Sequence, residues 1–100
     1  MRVFINYLSI MQLLTKELEQ RFATVGSQEA VADPIIIAKY FNPQGAGTWY
    51  ATEWNAGDRC IFGYVQGLGY DELGYFSLDE LQEFKGQFGL GIEMDLHFGE

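Results

Sequence analysis

The sequence predicts an α+β domain in which two short helices pack on a small antiparallel sheet of four to five strands. Three observations predict it: two helix-start signals, a central group of β-branched and aromatic runs, and an alternating apolar–polar run near the C terminus. The links between the central runs are short, which favours antiparallel hairpins because parallel neighbours need a crossover of about a dozen residues. With 100 residues and 48% hydrophobic content, residues 1–100 are expected to form a single domain.

The first helix is predicted from its cap and from the spacing of its apolar residues. Thr15 is positioned as the N-cap, and Glu17 follows in the first turn, where the helix dipole favours an acidic side chain. Gly26 predicts the end of the helix. The apolar stripe of this helix would consist of Leu14, Leu18 and Phe22.

Three runs predict the central strands: Ile35 to Phe41, Thr48 to Trp54 and Cys60 to Val65. Turn-forming residues close the first two runs, at positions 42–45 and 55–58. The segment from Leu73 to Phe76 is a candidate for a fourth short strand. Residues 26–34, between the first helix and the first strand, are interpreted as a polar connection.

The last third of the chain predicts a second helix and a final strand. Ser77 and Glu80 have the spacing of a capping box, in which the Glu80 side chain reaches back to the Ser77 amide. Strict alternation over residues 92–98 is typical of a half-buried strand. Its apolar positions are Ile92, Met94, Leu96 and Phe98, and its polar positions are Glu93, Asp95 and His97.

The cysteine content and the N-terminal segment indicate a cytoplasmic protein. A single cysteine, Cys60, excludes an intramolecular disulfide and a cluster of several cysteines. The apolar start of the chain is interrupted by Asn6, Ser9 and Gln12, so it is too short and too broken to span a bilayer. No small-residue cleavage site of a secretory signal follows it. We therefore expect no contact with a membrane.

The net charge of −8 is concentrated in residues 71–100, which hold eight carboxylates and one lysine. An acidic field repels nucleic acid and attracts basic partners. Residues 42–100 contain only Arg59 and Lys85 as basic side chains, and counterion release on nucleic acid needs such side chains. We therefore expect no direct binding to nucleic acid, although the central strands carry aromatics typical of a base-stacking platform, namely Trp49, Tyr50, Trp54, Phe62 and Tyr64.

The polar side of the last predicted strand holds the residues best suited to a metal site. Glu93, Asp95 and His97 would stand about 6–7 Å apart along one face. Two carboxylates and an imidazole bind a metal when a fourth ligand arrives from elsewhere. A solvated strand face is the simpler interpretation, so we predict no metal site. A small metal-dependent enzyme or metal-binding protein that uses these three residues remains an alternative.

The search for catalytic groups finds no motif that specifies a reaction. Cys60 and His97 are the sole thiol and imidazole, and they would form a nucleophilic pair if the fold brought them together. Cys60 opens an apolar strand, however, and a buried cysteine usually behaves as a small hydrophobe. The glycines at 67 and 69 fall short of a dinucleotide-binding or Walker fingerprint. We expect no catalytic residues and no cofactor.

Six segments carry a family resemblance: Leu13-Leu14-Thr15-Lys16-Glu17-Leu18, Lys39-Tyr40-Phe41-Asn42-Pro43, Thr48-Trp49-Tyr50-Ala51-Thr52-Glu53, Phe62-Gly63-Tyr64-Val65, Glu72-Leu73-Gly74-Tyr75-Phe76-Ser77-Leu78-Asp79-Glu80-Leu81 and Asp95-Leu96-His97-Phe98. In this order they resemble domain-of-unknown-function family 2958, a family of short bacterial proteins. Members tend to begin near Met11, so residues 1–10 resemble an N-terminal extension of a core at about 12–98. Many members also carry a basic residue near Met94. The resemblance implies a fold and a genomic setting on plasmids, phages and other mobile elements.

The mobile-element setting shifts the interpretation of the acidic end from solubility towards partner binding. The resulting hypothesis is a non-enzymatic protein-binding module that inhibits a basic, nucleic-acid-binding host defence protein, as an anti-CRISPR or anti-restriction factor. The predicted partner-binding residues are Asp71, Glu72, Asp79, Glu80, Glu83, Glu93 and Asp95. A further alternative is an accessory or structural subunit that uses exposed aromatics such as Trp54 or Tyr70. The sequence leaves the oligomeric state open.

Overall fold

In the computed structural model, residues 12–86 and 89–98 are described, and they form two helices and five strands. The proposed extension, residues 1–10, lies outside the described residues. In chain order the elements are α1 (Lys16–Val25), β1 (Ala38–Phe41), β2 (Thr48–Asn55), β3 (Cys60–Gln66), β4 (Glu72–Ser77), α2 (Leu78–Glu83) and β5 (Glu93–Met94).

The five strands form one sheet in the order β4-β3-β2-β1-β5, and every neighbouring pair is antiparallel. Strands β1 to β4 therefore form a meander of hairpins. The chain then leaves one edge of the sheet through α2 and returns at the other edge as β5. The prediction of a small α+β fold with an antiparallel sheet and two helices is confirmed.

Helix α1 begins and ends at the residues that local chemistry predicts. The Thr15 hydroxyl accepts a hydrogen bond from the Leu18 amide at 3.2 Å, which satisfies one of the free amides of the first turn. At the other end, Gly26 adopts a φ of 72° and donates its amide to the Phe22 carbonyl at 2.9 Å. A left-handed backbone of this kind favours glycine because it has no Cβ.

The sheet has one face that both helices cover. Residues directly opposite each other on neighbouring strands share a face, so the aligned residues Tyr40, Trp49 and Val65 identify the covered side. They pack in one buried cluster with α1 and α2 side chains, among them Leu18, Phe22, Leu78 and Leu81. The intervening residues lie on the opposite side. We call this side the outer face and define it by Lys39, Phe41, Tyr50, Phe62, Tyr64, Leu73 and Tyr75.

Tyr40 is a fully buried residue with a polar hydroxyl on the covered face. Its hydroxyl donates a hydrogen bond to the Leu13 carbonyl at 2.6 Å, which ties the segment before α1 to β1. Burial raises the pKa of the Tyr40 phenol well above its ordinary value of 10.0, because the phenolate would be poorly solvated.

Tyr40→Phe is expected to lower the free energy of unfolding by about 1–2 kcal/mol at neutral pH, because the Leu13 carbonyl loses its donor. The same variant is expected to be less sensitive to alkali. The unfolded chain ionises Tyr40 near pH 10 and the folded chain only at higher pH, so the wild type loses up to about 1.4 kcal/mol per pH unit above pH 10 through this residue. Urea unfolding at neutral pH and above pH 10 measures both effects.

The matched control is Tyr70→Phe, since Tyr70 is exposed on the link between β3 and β4. That variant should leave the stability at neutral pH unchanged, because the Tyr70 side chain is exposed. Equal alkaline slopes for Tyr40→Phe and the wild type would contradict the assignment of the pH dependence to Tyr40.

Candidate functional site

The acidic residues around β4 and α2 differ in whether their carboxylates already have a hydrogen-bond or ion-pair partner. Asp71 accepts a hydrogen bond from the Gly67 amide at 3.0 Å, which holds the turn between β3 and β4. Asp79 is paired with Arg59, whose Nη2 lies 3.0 Å from its Oδ1. Glu72 and Glu83 are exposed. In this group, Asp79 is the carboxylate whose charge an ion pair offsets.

Ser77 is the N-cap of α2 and makes one of the two hydrogen bonds of the predicted capping box. The Ser77 hydroxyl accepts a hydrogen bond from the Glu80 amide at 3.1 Å, as the spacing predicted. The Leu78 amide donates to the Arg59 carbonyl at 3.1 Å, so the helix starts directly on the end of the β3–β4 ladder. This places the exposed carboxylate of Glu80 beside the edge strand β4.

The remaining two predicted partner-binding residues lie near the other edge of the sheet. Glu93 is in β5, opposite Phe41 of β1. Asp95 follows β5, and its Oδ2 lies 3.9 Å from the Lys39 Nζ. Strands β4 and β5 are the two edges, separated by four strand spacings, or about 19 Å. The strand carboxylates Glu72 and Glu93 therefore belong to opposite ends of the sheet.

The predicted final strand over residues 92–98 is wrong in length. Strand β5 contains only Glu93–Met94, and a turn follows in which the Asp95 side chain accepts the His97 amide at 3.0 Å. The Phe98 amide donates to the Asp95 carbonyl at 3.2 Å and closes the turn. As a result Leu96, which the alternation predicted to be buried, is 65% exposed.

This turn also removes the geometry on which the metal-binding alternative depends. Glu93, Asp95 and His97 would share one polar face only in a continuous strand, and the chain turns after Met94. Asp95 has Lys39 and the His97 amide as its partners. Among residues 12–86 and 89–98, no group of three or more His, Cys, Asp or Glu side chains is arranged to hold a metal ion.

Cys60 and His97 do not form a nucleophilic pair. Cys60 begins β3, whereas His97 lies beyond β5, and β2 and β1 separate these strands in the sheet. Three strand spacings amount to about 14 Å, far beyond hydrogen-bond reach. The Cys60 thiol is instead 3.5 Å from the Asp58 carbonyl.

A cleft between α1 and the β1–β5 edge is lined by four polar side chains, Thr15, Glu17, Arg21 and Asp95. Thr15 is used as the N-cap of α1, and Asp95 is used by Lys39 and by the turn after β5. The two that remain, Glu17 and Arg21, are exposed positions one helical turn apart on α1. We therefore interpret this cleft as the packing junction between α1 and the sheet, where Thr15 and Asp95 already serve the cap, the ion pair and the turn.

The sheet divides the aromatic residues that the sequence grouped as a stacking platform. Trp49 is buried on the covered face, and Trp54 packs against the same core beneath Arg59, whose guanidinium lies 5.8 Å from its ring centroid. Tyr50, Phe62 and Tyr64 are on the outer face. Of the two aromatics that the accessory-subunit alternative gave as examples of exposed residues, Trp54 is half-buried and Tyr70 is exposed.

The outer face is a continuous aromatic and aliphatic surface. One row crosses four strands, from Leu73 through Tyr64 and Tyr50 to Lys39. In a second row, Phe62 and Tyr75 pack edge to face with ring centroids 4.9 Å apart. Leu73 is 61% exposed and Tyr75 is 69% exposed, so the β4 end of this surface is open to solvent. Neither residue is among the partner-binding residues that the sequence predicts.

The charges on the outer face lie at its borders. Glu53 of β2 stands opposite Phe62, and its carboxylate accepts a hydrogen bond from the Gln28 backbone amide at 3.1 Å. Lys39 is the cation at the end of the row that runs from Leu73 through Tyr64 and Tyr50, which we call the central row. Its Nζ lies 5.8 Å from the Tyr50 ring centroid, and Asp95 is its ion-pair partner. The outer face thus combines apolar side chains with carboxylates at its border.

A family profile described as "Protein of unknown function (DUF2958)" matches residues 13–100. The chain belongs to this family. The DUF2958 match begins at Leu13, the residue whose carbonyl accepts the Tyr40 hydroxyl, and it contains both helices and the whole sheet. Neither the curated proteins nor the solved structures contain a significant match to the chain.

None of the helices within residues 12–86 and 89–98 combines the length and the apolar character that crossing a bilayer requires.

Proposed function

We propose that this DUF2958 protein is a non-enzymatic binding module that engages a basic partner protein through its outer face. The observation that carries the proposal is the row Leu73, Tyr64 and Tyr50, which lies on the side of the sheet opposite both helices. Leu73 is exposed and the two tyrosines are half-buried. Apolar surface that is partly open to solvent occurs at protein interaction sites, and tyrosine is enriched at binding hot spots.

Charge selects the class of partner. The chain has a net charge of −8, and carboxylates border the outer face, including Glu53 and Glu93. A nucleic acid would be repelled by this field, and the one cation of the central row, Lys39, is already paired with Asp95. A basic protein surface is the complementary partner, with electrostatic attraction raising the association rate.

Among basic proteins, we propose a nucleic-acid-binding host defence protein as the target, with inhibition as the outcome. An acidic module that occupies a positively charged nucleic-acid groove would compete directly with the substrate. The anti-CRISPR or anti-restriction form of this hypothesis follows from the mobile-element setting that the family resemblance implies. Exposed carboxylates at positions 72, 80 and 83 would add long-range attraction beyond the outer face.

The test measures binding of the protein to purified CRISPR effector complexes and restriction endonucleases by surface plasmon resonance. Replacing Tyr50 and Tyr64 together by threonine keeps two strand-forming residues but removes the rings. We expect the double variant to bind at least about 30-fold more weakly, as loss of two hot-spot side chains would cause. Raising the salt from about 0.05 M to about 0.5 M should weaken wild-type binding by screening the charges.

Tyr70→Thr is the matched control, because it removes an exposed tyrosine that lies outside the outer face. It should leave affinity unchanged. Binding that survives loss of both outer-face rings and high salt would overturn the proposal. Loss of binding in Tyr70→Thr alone would instead favour the accessory-subunit alternative.

A further inference from the structure

Among the described residues, strand β4 lies at one edge of the sheet. It occupies the first position in the strand order, and within residues 12–86 and 89–98 its only strand partner is β3. The β3–β4 register runs without a shift from Cys60–Ser77 to Val65–Glu72. A regular six-residue edge of this kind presents a row of backbone groups that a further strand can pair with.

The hydrogen-bond pattern identifies which backbone groups face outwards. The Leu78 amide donates to the Arg59 carbonyl, so these two residues mark a hydrogen-bonded position at the end of the ladder. Antiparallel ladders alternate, so every second residue back along β4 bonds to β3 and those between face away. The residues whose amide and carbonyl groups face the open edge are therefore Leu73, Tyr75 and Ser77.

Beyond Glu72 at its start, this edge has few of the features that usually prevent pairing with another chain. Edge strands are commonly guarded by lysine, proline or a β-bulge. From Leu73 to Ser77 the sequence of β4 has no charged residue and no proline, and its ladder with β3 has no bulge. The side chains of Leu73 and Tyr75 extend the outer face to this edge.

Charge decides between the possible occupants. Carboxylates lie at both ends of β4, with Asp71 and Glu72 before it and Asp79 and Glu80 after it. Arg59 offsets the charge of Asp79 and leaves the other three. A second copy would bring acidic ends together in either strand orientation and would join two chains of charge −8. An extended segment with basic flanks meets opposite charge at both ends.

We propose that an extended segment of the basic partner protein adds to the sheet as a sixth strand alongside β4. Its backbone would pair with Leu73, Tyr75 and Ser77, and its alternate apolar side chains would continue the outer face beside Tyr75. The inference rests on the proposed function, since it specifies how the partner binds. Backbone pairing supplies affinity, and the flanking carboxylates select for lysine and arginine.

The test uses a synthetic peptide of about nine residues, with alternating valine and threonine between lysine pairs, as a generic strand donor. Amide hydrogen exchange of the full chain, read by NMR, should show Leu73, Tyr75 and Ser77 unprotected without peptide. Saturating peptide should slow exchange at these three amides by at least about tenfold. A peptide of the same sequence with glutamates in place of lysines should give no protection at the same concentration.

Two variants separate the backbone contribution from that of the side chain. Tyr75→Pro removes an edge-facing donor while sparing the ladder with β3, whereas Tyr75→Thr keeps the donor and removes the ring. We expect the proline variant to bind the lysine peptide at least about tenfold more weakly than the threonine variant. If the proline variant fails to fold, the same peptide N-methylated at alternate residues provides the comparison and should lose affinity.

Binding that protects other amides and leaves these three unprotected would overturn the strand-addition inference, as would failure of the lysine peptide to bind at about 1 mM. Peptide-free protection at these amides that grows with protein concentration would replace the partner strand with a second copy. The proposed function is tested independently by the Tyr50 and Tyr64 double variant, so either conclusion can fail while the other stands.

Discussion

Gly63→Ala is expected to lower the free energy of unfolding by about 4 kcal/mol or more, which is enough to unfold a small domain. A Cβ at Gly63 would overlap the Tyr50 carbonyl oxygen and lie 2.8 Å from its carbonyl carbon. These atoms belong to the backbone of the neighbouring strand β2, so they cannot move aside as a side chain would. The β2–β3 ladder also shifts register between Ala51 and Glu53 beside this position. Urea unfolding followed by circular dichroism measures the change.

Gly74→Ala provides a matched control on the neighbouring strand. Gly74 is directly opposite Gly63 in the β3–β4 ladder, and a Cβ there would meet no atom within 4 Å among the described residues. Its substitution should change stability by no more than about 0.5 kcal/mol. If both substitutions lower the free energy of unfolding by similar amounts, the close backbone approach at Gly63 is not the reason that glycine is needed there.

Gln28→Ala is expected to cost about 2–4 kcal/mol of unfolding free energy. The Gln28 side chain donates to the carbonyls of Ile35 and Thr52 at 3.0 and 2.8 Å, and it accepts the Ile35 amide at 2.7 Å. Gln28 is 6% exposed, so its removal leaves backbone groups without partners at a partly buried site. Thermal or urea unfolding of the purified variant measures the loss.

Glu29→Ala is the control for this prediction, because Glu29 is the exposed neighbour of Gln28. It should change stability by less than about 0.5 kcal/mol. Gln28→Glu adds a second comparison: it preserves size but removes the side-chain amide donor and buries a carboxylate, so it should destabilise as well. A neutral outcome for Gln28→Ala would contradict a role for its side chain in joining the 26–34 connection to β2.

The helix starts were predictable because capping is local chemistry. The Thr15 and Ser77 hydroxyls each accept a hydrogen bond from the backbone amide three residues ahead, so both partners lie within one short segment of the sequence. The hairpins from β1 to β4 were predictable for a similar reason, since turn-forming residues separate runs of strand-forming ones. The β4 strand was predicted as Leu73 to Phe76 and extends from Glu72 to Ser77.

The errors fall where a distant contact or a side-chain bond overrides a local pattern. The first strand was predicted from Ile35 and begins at Ala38, because the Gln28 side chain holds the Ile35 backbone outside the sheet. The final strand was predicted through Phe98, but the Asp95 side chain supports a turn there. Alternation alone cannot distinguish a strand from a turn that happens to alternate.

The sequence alone determined that the chain forms an α+β domain, where its helices start, and that its C-terminal third is acidic, because these properties depend on composition and on contacts between near neighbours. Only the tertiary structure decided which aromatics are buried and which form the outer face, and that β4 and β5 are the two edges. A period of two defines two faces of a strand without specifying which one the helices cover. The face that the helices cover and the order of the strands are set by contacts between residues far apart in the chain. These contacts place Tyr50, Tyr64 and Leu73 on the side opposite both helices.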